Sequence, residues 1–391
     1  MAPPLPSLPT DCLLHVFLRL DPISIARCAA VSKHWHRAVI DNAYDIRRCL
    51  AGHADSCLLL GLHYREMFPG ELGFSHRSSW LPSAGRHWSD DLPVPCSMPV
   101  AEGTKTKLYA PLACSDGLLL VCRGLPSQIS VVNSLTGFHA SVPRPSGARI
   151  YIYNVVRDDD GGTLPPLLLQ NYRSETGEWS QVFQPEAEGF RCSCGAAPLV
   201  CQGAVHWLCK KVSGYGQEEF VVDRTIAVDI ATGRARMTRL PEHCSMFDQD
   251  VSIGKKLMLA TYEGDRLSLL RREEASLEVS VWLYVGDHGG GGGDDPERSW
   301  LLRQSINIRK LIEDAGLSRF RLRCKDWSVL EIRLEWFCPR SRCVIMWIPY
   351  LGLLVLDLAS KQIRRATGDS HGHIWPYEID LTLCLSSIKM F

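Results

Sequence analysis

Residues 8–20 read Leu8-Pro9-Thr10-Asp11-Cys12-Leu13-Leu14-His15-Val16-Phe17-Leu18-Arg19-Leu20, and residues 21–35 continue Asp21-Pro22-Ile23-Ser24-Ile25-Ala26-Arg27-Cys28-Ala29-Ala30-Val31-Ser32-Lys33-His34-Trp35. Leu13, Leu14, Val16, Phe17 and Leu20 fall at helical spacing, so the first stretch predicts an amphipathic helix with one apolar stripe. Thr10 or Asp11 can accept from the free N–H groups of its first turn and is the expected N-cap. Asp21-Pro22 restarts the chain, because Asp caps and proline needs no N–H at the first helical position. Ile25, Cys28 and Ala29 form the inner face of that second helix. Ser32 caps a third, with Trp35, Ala38 and Val39 inward, and Tyr44, Ile46 and Cys49 suggest a fourth ending near Gly52. Helices within about forty residues are too little chain to bury their own apolar surface. The expectation is that Leu13, Val16, Phe17, Pro22 and Ile25 stand exposed until another polypeptide covers them.

The rest of the chain changes period. Ser115-Asp116-Gly117-Leu118-Leu119-Leu120-Val121, Gln202-Gly203-Ala204-Val205-His206-Trp207-Leu208 and Ile253-Gly254-Lys255-Lys256-Leu257-Met258-Leu259 each read as a turn feeding a buried strand. A second unit ends in Thr-Gly: Val131-Val132-Asn133-Ser134-Leu135-Thr136-Gly137 and Ala227-Val228-Asp229-Ile230-Ala231-Thr232-Gly233, with Val355-Leu356-Asp357-Leu358-Ala359-Ser360-Lys361 a degenerate copy. In each, a strand runs into Asn or Asp, whose side chain can bond the backbone two residues on, and the chain returns. Leu168 to Trp179 gives a strand, a tight turn and a return, and Val279 to Val285 another strand. The apolar run Val344 to Leu356 is too short to cross a bilayer and is interrupted by Pro349 and Gly352, so it reads as two buried strands. Ile306 to Ala315 reads as a short helix, whereas Trp80 to Met98, Arg157 to Gly162 and His288 to Asp295 read as loops. Many short strands with recurring Gly and aromatic marks suggest radial repetition of small sheets, a β-propeller. A pair of packed β-sheets is the alternative. Roughly 340 residues at about 40–50 per blade fit six to eight blades.

The chain has 391 residues and zero formal net charge. Balanced charge argues against electrostatic nucleic-acid binding and against a polybasic membrane anchor. The Pro-rich start lacks the basic and apolar regions of a secretory signal. The 16 cysteines are therefore read as reduced, buried thiols rather than a disulfide framework.

The N-terminal stretch resembles an F-box on Leu8-Pro9, Arg19-Leu20, Pro22-Ile23-Ser24, Arg27 and Val31-Ser32-Lys33-His34-Trp35. One departure is His15 and its neighbours, where the family usually places an acidic residue in mid first helix. The later region resembles the F-box-associated β-propeller domains found in large numbers in plants, on Gly203 to Leu208, Asp229 to Gly233 and Ser174 to Trp179. These resemblances imply a multidomain chain: a small all-α F-box of three short helices over residues 1–50, then an all-β, propeller-like substrate-recognition domain over 51–391. They imply a non-catalytic substrate receptor of a Skp–cullin–F-box ubiquitin ligase, cytoplasmic and/or nuclear, docked on a Skp-type adaptor and through it a cullin, and holding a target protein not identified by sequence. The residues implied for the adaptor are Leu8, Pro9, Leu13, Val16, Phe17, Leu20, Pro22, Ile25, Val31 and Trp35, with Leu13, Phe17, Pro22 and Ile25 touching the partner and Trp35 locking the helices. The competing readings are a propeller enzyme or carbohydrate-binding protein with an incidental helical N-terminus, and an F-box scaffold acting outside ubiquitination.

No catalytic group or cofactor stands out. The Gly289–Gly293 run lacks the Gly-Lys-Ser/Thr of a phosphate loop. Asp158–Asp160 lacks the alternating spacing of a calcium loop. Cys192, Cys194, Cys201, His206 and Cys209 are the densest soft-ligand set, but the Cys pair is separated by one residue rather than the two to four of a zinc knuckle. His34 and His36 point to different helix faces, and His371-Gly372-His373 reads as a surface turn. Neither Gly-x-Ser-x-Gly nor His-Glu-x-x-His occurs.

Overall fold

The structure, a computed structural model, describes residues 8–20, 24–25, 28–29, 32–50, 58–65, 72–76, 109–115, 117–123, 128–132, 139–143, 172–173, 176–180, 190–192, 197–211, 221–247, 255–273, 277–286, 299–318, 331–367 and 373–378. The readings at Trp80–Met98, Arg157–Gly162, the Gly289–Gly293 run, His371 and Cys194 lie outside them, as do Pro22 and Val31.

The N-terminal unit has three helices, α1 (Thr10–Phe17), α2 (Lys33–Asp41) and α3 (Ala43–Leu50), with short helical pieces at residues 24–25 and 28–29. Pro9, not Thr10 or Asp11, occupies the N-cap of α1, and its carbonyl accepts from Leu13 N at 3.1 Å. The backbone of Pro9 (φ −56, ψ 147) starts the helix one residue early. Thr10 and Asp11 therefore lie inside the first turn, where the Asp11 carboxylate meets the positive end of the helix. Ser32 caps α2 as expected, accepting from Trp35 N at 3.3 Å.

The β-region is a propeller-like ring of antiparallel meanders. Strands β1 (Leu59–Arg65) and β2 (Leu72–His76) pair first. A four-stranded meander follows: β3 (Tyr109–Ser115), β4 (Leu118–Arg123), β5 (Gln128–Val132) and β6 (His139–Val142). β7 (Tyr172–Arg173) and β8 (Glu178–Trp179) form a hairpin, tied to the preceding meander by Trp179 Nε1, which donates to Pro143 O at 2.8 Å.

The next sheet has β9 (Phe190–Cys192), β10 (Leu199–Cys201), β11 (Ala204–Lys211), β12 (Val221–Asp229), β13 (Ala235–Arg239) and β14 (Met246–Phe247); β10 to β13 are its meander. The third meander is β15 (Leu257–Tyr262), β16 (Arg266–Arg272), β17 (Glu278–Tyr284) and β18 (Trp300–Asn307), followed by α4 (Ile308–Asp314). The fourth is β19 (Arg333–Cys338), β20 (Cys343–Ile348), β21 (Gly352–Asp357) and β22 (Ile363–Thr367). β23 (His373–Glu378) then pairs with β1, so the last described strand completes the first sheet, in the order β2-β1-β23. Among the described residues, four sheets thus contain a complete four-stranded meander. Around the ring, β15 lies beside β19, β19 beside β23 and β23 beside β3, which makes the first strand of these meanders the inner one.

The repeated sequence units have separate jobs in this architecture. The Asp-x-x-Thr-Gly type turns the third strand of a meander into the fourth. Asp229 Oδ1 accepts from Thr232 N and Thr232 Oγ1, each at 2.7 Å, and Asp357 Oδ1 accepts from Ala359 N at 2.9 Å and Ser360 N at 3.1 Å. The Gly117 and Gln202-Gly203 units turn the first strand into the second. Gly117 (φ +76) must be glycine, since a Cβ there would also sit 3.2 Å from Tyr377 Oη. Ile253–Leu259 does feed a buried strand, as read, but that strand is the inner first strand β15; in this meander the first-to-second turn lies at Glu263-Gly264.

Burial explains the apolar runs. On β20, Val344, Met346 and Ile348 face the large core shared by the second, third and fourth meanders, while Cys343 and Ile345 face a second core with Leu59, Leu62 and Ile374. β21 alternates likewise, Leu354 and Leu356 one way, Leu353 and Val355 the other. A strand covered on both faces has no polar side, so its period-2 signal vanishes.

The closing sheet carries a pH dependence. Burial lowers the His63 imidazole from 6.5 to about 4, and its ring meets Tyr377 edge-on at 5.6 Å. A depressed folded value means the unfolded chain binds the proton first. His63 therefore contributes stability that is present above about 6.5 and is lost as pH falls towards about 4. Replacing His63 with Phe should reduce the acid sensitivity of chemical unfolding in that window.

Candidate partner-docking site

The helical unit seals its own core. Leu13, Phe17, Ile25, Ala29, Ala38, Val39 and Ile46 are buried together, with Leu14, Leu20, Cys28 and Trp35 packed against them. Leu13 and Phe17, four apart on α1, share the face that α2 covers. Phe17 meets Trp35 edge-on at 5.9 Å and 68°, so α1 and α2 are joined by an aromatic pair. His34 Nε2 lies 3.1 Å from Leu8 O, which ties the residues ahead of α1 to α2. Asn42 closes α2 through Nδ2, donating to Ala38 O at 2.8 Å.

This corrects part of the sequence reading. Leu13, Phe17 and Ile25, expected to lie exposed until a partner covers them, each have 0% exposure. Three short helices and the helical pieces at residues 24–25 and 28–29, packed together, suffice to bury a single stripe, which the sequence, read one helix at a time, does not show. What stays open is a second stripe. Cys12 and Val16, one turn apart on α1, are exposed (Val16 39%), and Leu8, just ahead of the helix, is exposed as well (50%). Pro9 is exposed beside them and Leu20 is half-buried. Tyr44 on α3 is the most exposed large hydrophobic of the unit. Sequence reasoning missed Cys12 and Tyr44. The four-residue spacing from Val16 back along α1 could have found the first; the second marks the fourth predicted helix, with no face assigned to it.

The β-region offers no reactive counterpart among the described residues. Burial, with Asp265 nearby, pushes the Cys201 thiol up to about 12, and burial does the same for Cys244. Desolvation also raises Cys114 and Cys338, so these thiols stay protonated and un-nucleophilic near neutrality. His206 is lowered by burial. The soft-ligand set does not converge: Cys201 belongs to the large core, whereas Cys209 packs with Ile226 and Val228 in a separate cluster. No group of three or more His, Cys, Asp or Glu among the described residues could hold a metal ion. No described helix is long and apolar enough to cross a membrane.

Comparison with known families gives two matches, one over the helical unit and one that begins after β2. Residues 5–50 match the family described as F-box-like, and residues 82–391 match the one described as a domain of unknown function, DUF7595. None of the curated proteins compared matches the chain. With residues 82–391 inside that second match, the chain belongs to the DUF7595 family and carries an F-box-like domain ahead of it.

Proposed function

We propose that this protein is the substrate-receptor subunit of a Skp–cullin–F-box ubiquitin ligase, working in the cytoplasm and/or nucleus. The observation that carries the reading is an F-box-like unit whose core is complete while the Leu8–Cys12–Val16 stripe is left uncovered. A Skp-type adaptor lies on that stripe and on Pro9, and Tyr44 extends the contact. Leu13, Phe17, Ile25, Leu20 and Trp35 act beneath it, fixing the angles of α1 and α2 so that the stripe is presented as one rigid ledge. Pro22 and Val31 keep the roles that the F-box resemblance implies.

The receptor itself makes and breaks no bond. Tethering a target to the adaptor and cullin raises the effective concentration of target lysines near the ubiquitin-charged enzyme, a gain that depends on geometry and linker length alone. The propeller-like ring holds the target.

The test is co-purification of the full chain with a Skp-type adaptor. Val16→Asp places a charge at the centre of the ledge and should lower adaptor recovery at least tenfold, while circular dichroism stays that of the unaltered chain. Unchanged recovery with Val16→Asp and with Leu8→Asp would remove the ledge from the interface.

A further inference from the structure

At one end of the ring, the second strand of each meander turns into the third and the inner strand begins. At this end of the third and fourth meanders, Lys255, Arg271, Arg272 and Arg333 pair with Glu273, Glu331 and Glu335, while Glu278, at the start of β17, accepts from Ser305 and Asn307. Arg271 Nη1 lies 2.8 Å from Glu273 Oε2, and Arg272 Nη1 lies 2.6 Å from Glu331 Oε1, also donating to Ile332 O at 3.2 Å. Lys255 and Arg333 share Glu335: Lys255 donates to Oε2, and Arg333 Nε is 3.5 Å from Oε1. Two cations on one carboxylate, whose side chain is only 9% exposed, leave a positive surplus in a chain whose formal net charge is zero.

Arg333 is the solvent-facing member. Its side chain is 40% exposed, and its Cζ lies 5.2 Å from the centre of the Trp347 ring. An arginine held over an indole by a cation–π contact presents its charge from a fixed place and leaves its fork of N–H groups open to a carboxylate. Beyond Trp347 comes the turn Pro349-Tyr350-Leu351, closed by Leu351 N donating to Ile348 O at 3.1 Å. Tyr350 has φ +68 and is 56% exposed. The left-handed conformation is a genuine outlier for a bulky residue, and Gly or Asn would meet the turn's need with less strain. An aromatic side chain held out in water at a backbone cost is the kind of feature that marks a contact.

We propose that this end of the third and fourth meanders docks an acidic segment of a protein, one carboxylate pairing with Arg333 on Trp347 and the rest of the segment lying against Tyr350. Calling that protein a ubiquitination target rests on the receptor reading above; the surface and its chemistry do not.

The test uses the full chain and two labelled twelve-residue peptides, one alternating Glu and Gly around a central Phe, the other alternating Lys and Gly around the same Phe. Fluorescence anisotropy should show saturable binding of the acidic peptide, weakened by salt, and none of the basic one. Arg333→Glu should weaken the acidic peptide at least tenfold. Tyr350→Gly should also weaken it severalfold while the melting temperature holds or rises, because the turn is relaxed. Equal binding of both peptides, or full acidic-peptide binding by Arg333→Glu or by Tyr350→Gly, overturns the proposal. Adaptor recovery is read on the same preparations: its loss with peptide binding intact counts against the receptor reading alone, and the reverse against this surface alone.

Discussion

Phe17→Asp unfolds the N-terminal helices and leaves the β-ring standing. Phe17 is wholly enclosed between α1 and α2 and forms the aromatic pair with Trp35. Removing a buried Phe side chain costs about 3–5 kcal/mol through lost burial and the cavity left behind. A carboxylate in that place adds the penalty of an unpaired buried charge, for the core around it is Leu13, Ile25, Ala29, Ala38, Val39 and Ile46. A unit this small has little stability to spare. Hydrogen exchange should show residues 10–50 losing protection while β15 to β22 keep theirs, with a matching loss of helical signal by circular dichroism. Retained protection in α1 and α2 would refute the sealed core. The comparison with Val16→Asp is informative, because both variants lose the adaptor but only Phe17→Asp loses the helices.

The second large effect lies at the closure of the ring. Glu378 ends β23, is almost fully buried, and reaches the turn between β19 and β20: Oε1 accepts from Ser341 N at 2.7 Å and Oε2 from Arg340 N at 3.4 Å. Its carboxylate thus ties the last described strand to the fourth meander while β1 holds it from the other side. Glu378→Ala leaves the buried Ser341 N–H without its acceptor, at about 1–3 kcal/mol, and removes the longer contact from Arg340 N. The loss should appear as a lower urea midpoint and as faster exchange in β1 and β23. Glu378→Gln keeps an acceptor oxygen and should be far milder.

Burial raises the Glu378 carboxyl above its ordinary value, outweighing the two N–H groups and Arg340, which lower it. A raised folded value means that the folded chain holds the proton longer. The contribution of Glu378 is then fully present below the unfolded carboxyl value and is lost as pH rises through the folded one. Glu378→Gln should therefore flatten the fall in stability above the usual carboxylate range. An unchanged pH profile would mean that the buried charge is compensated. His63, on β1 directly paired with β23, acts with the opposite sign.

Much of this was legible from local spacing. The helical stripe at Leu13 and Phe17, the Ser32 cap, the Asp229 and Asp357 turns, and the pair of strands flanking Pro349 are written in residues a few positions apart, where helix and turn geometry act directly. The Pro9 cap was missed because Thr10 and Asp11 are stronger side-chain caps in general and lost here to a fixed proline backbone. Ile253–Leu259 reads correctly as a turn feeding a buried strand, yet the unit does not say which strand of the meander follows: here it is the first, whereas after Gly117 and Gly203 it is the second.

The amino-acid sequence by itself determined the two kinds of unit, the order in which they follow one another and the chemistry of the turns, since these depend on neighbours along the chain. Only the tertiary structure decided which of two adjacent stripes on α1 stays in water, that Leu59 pairs with Glu378 to close the ring, and that Lys255 and Arg333 meet on one carboxylate. Those three facts are contacts between distant segments. Their energies come from burial, strand pairing and charge across the packed ring, and a one-dimensional pattern carries no record of which surfaces will face each other.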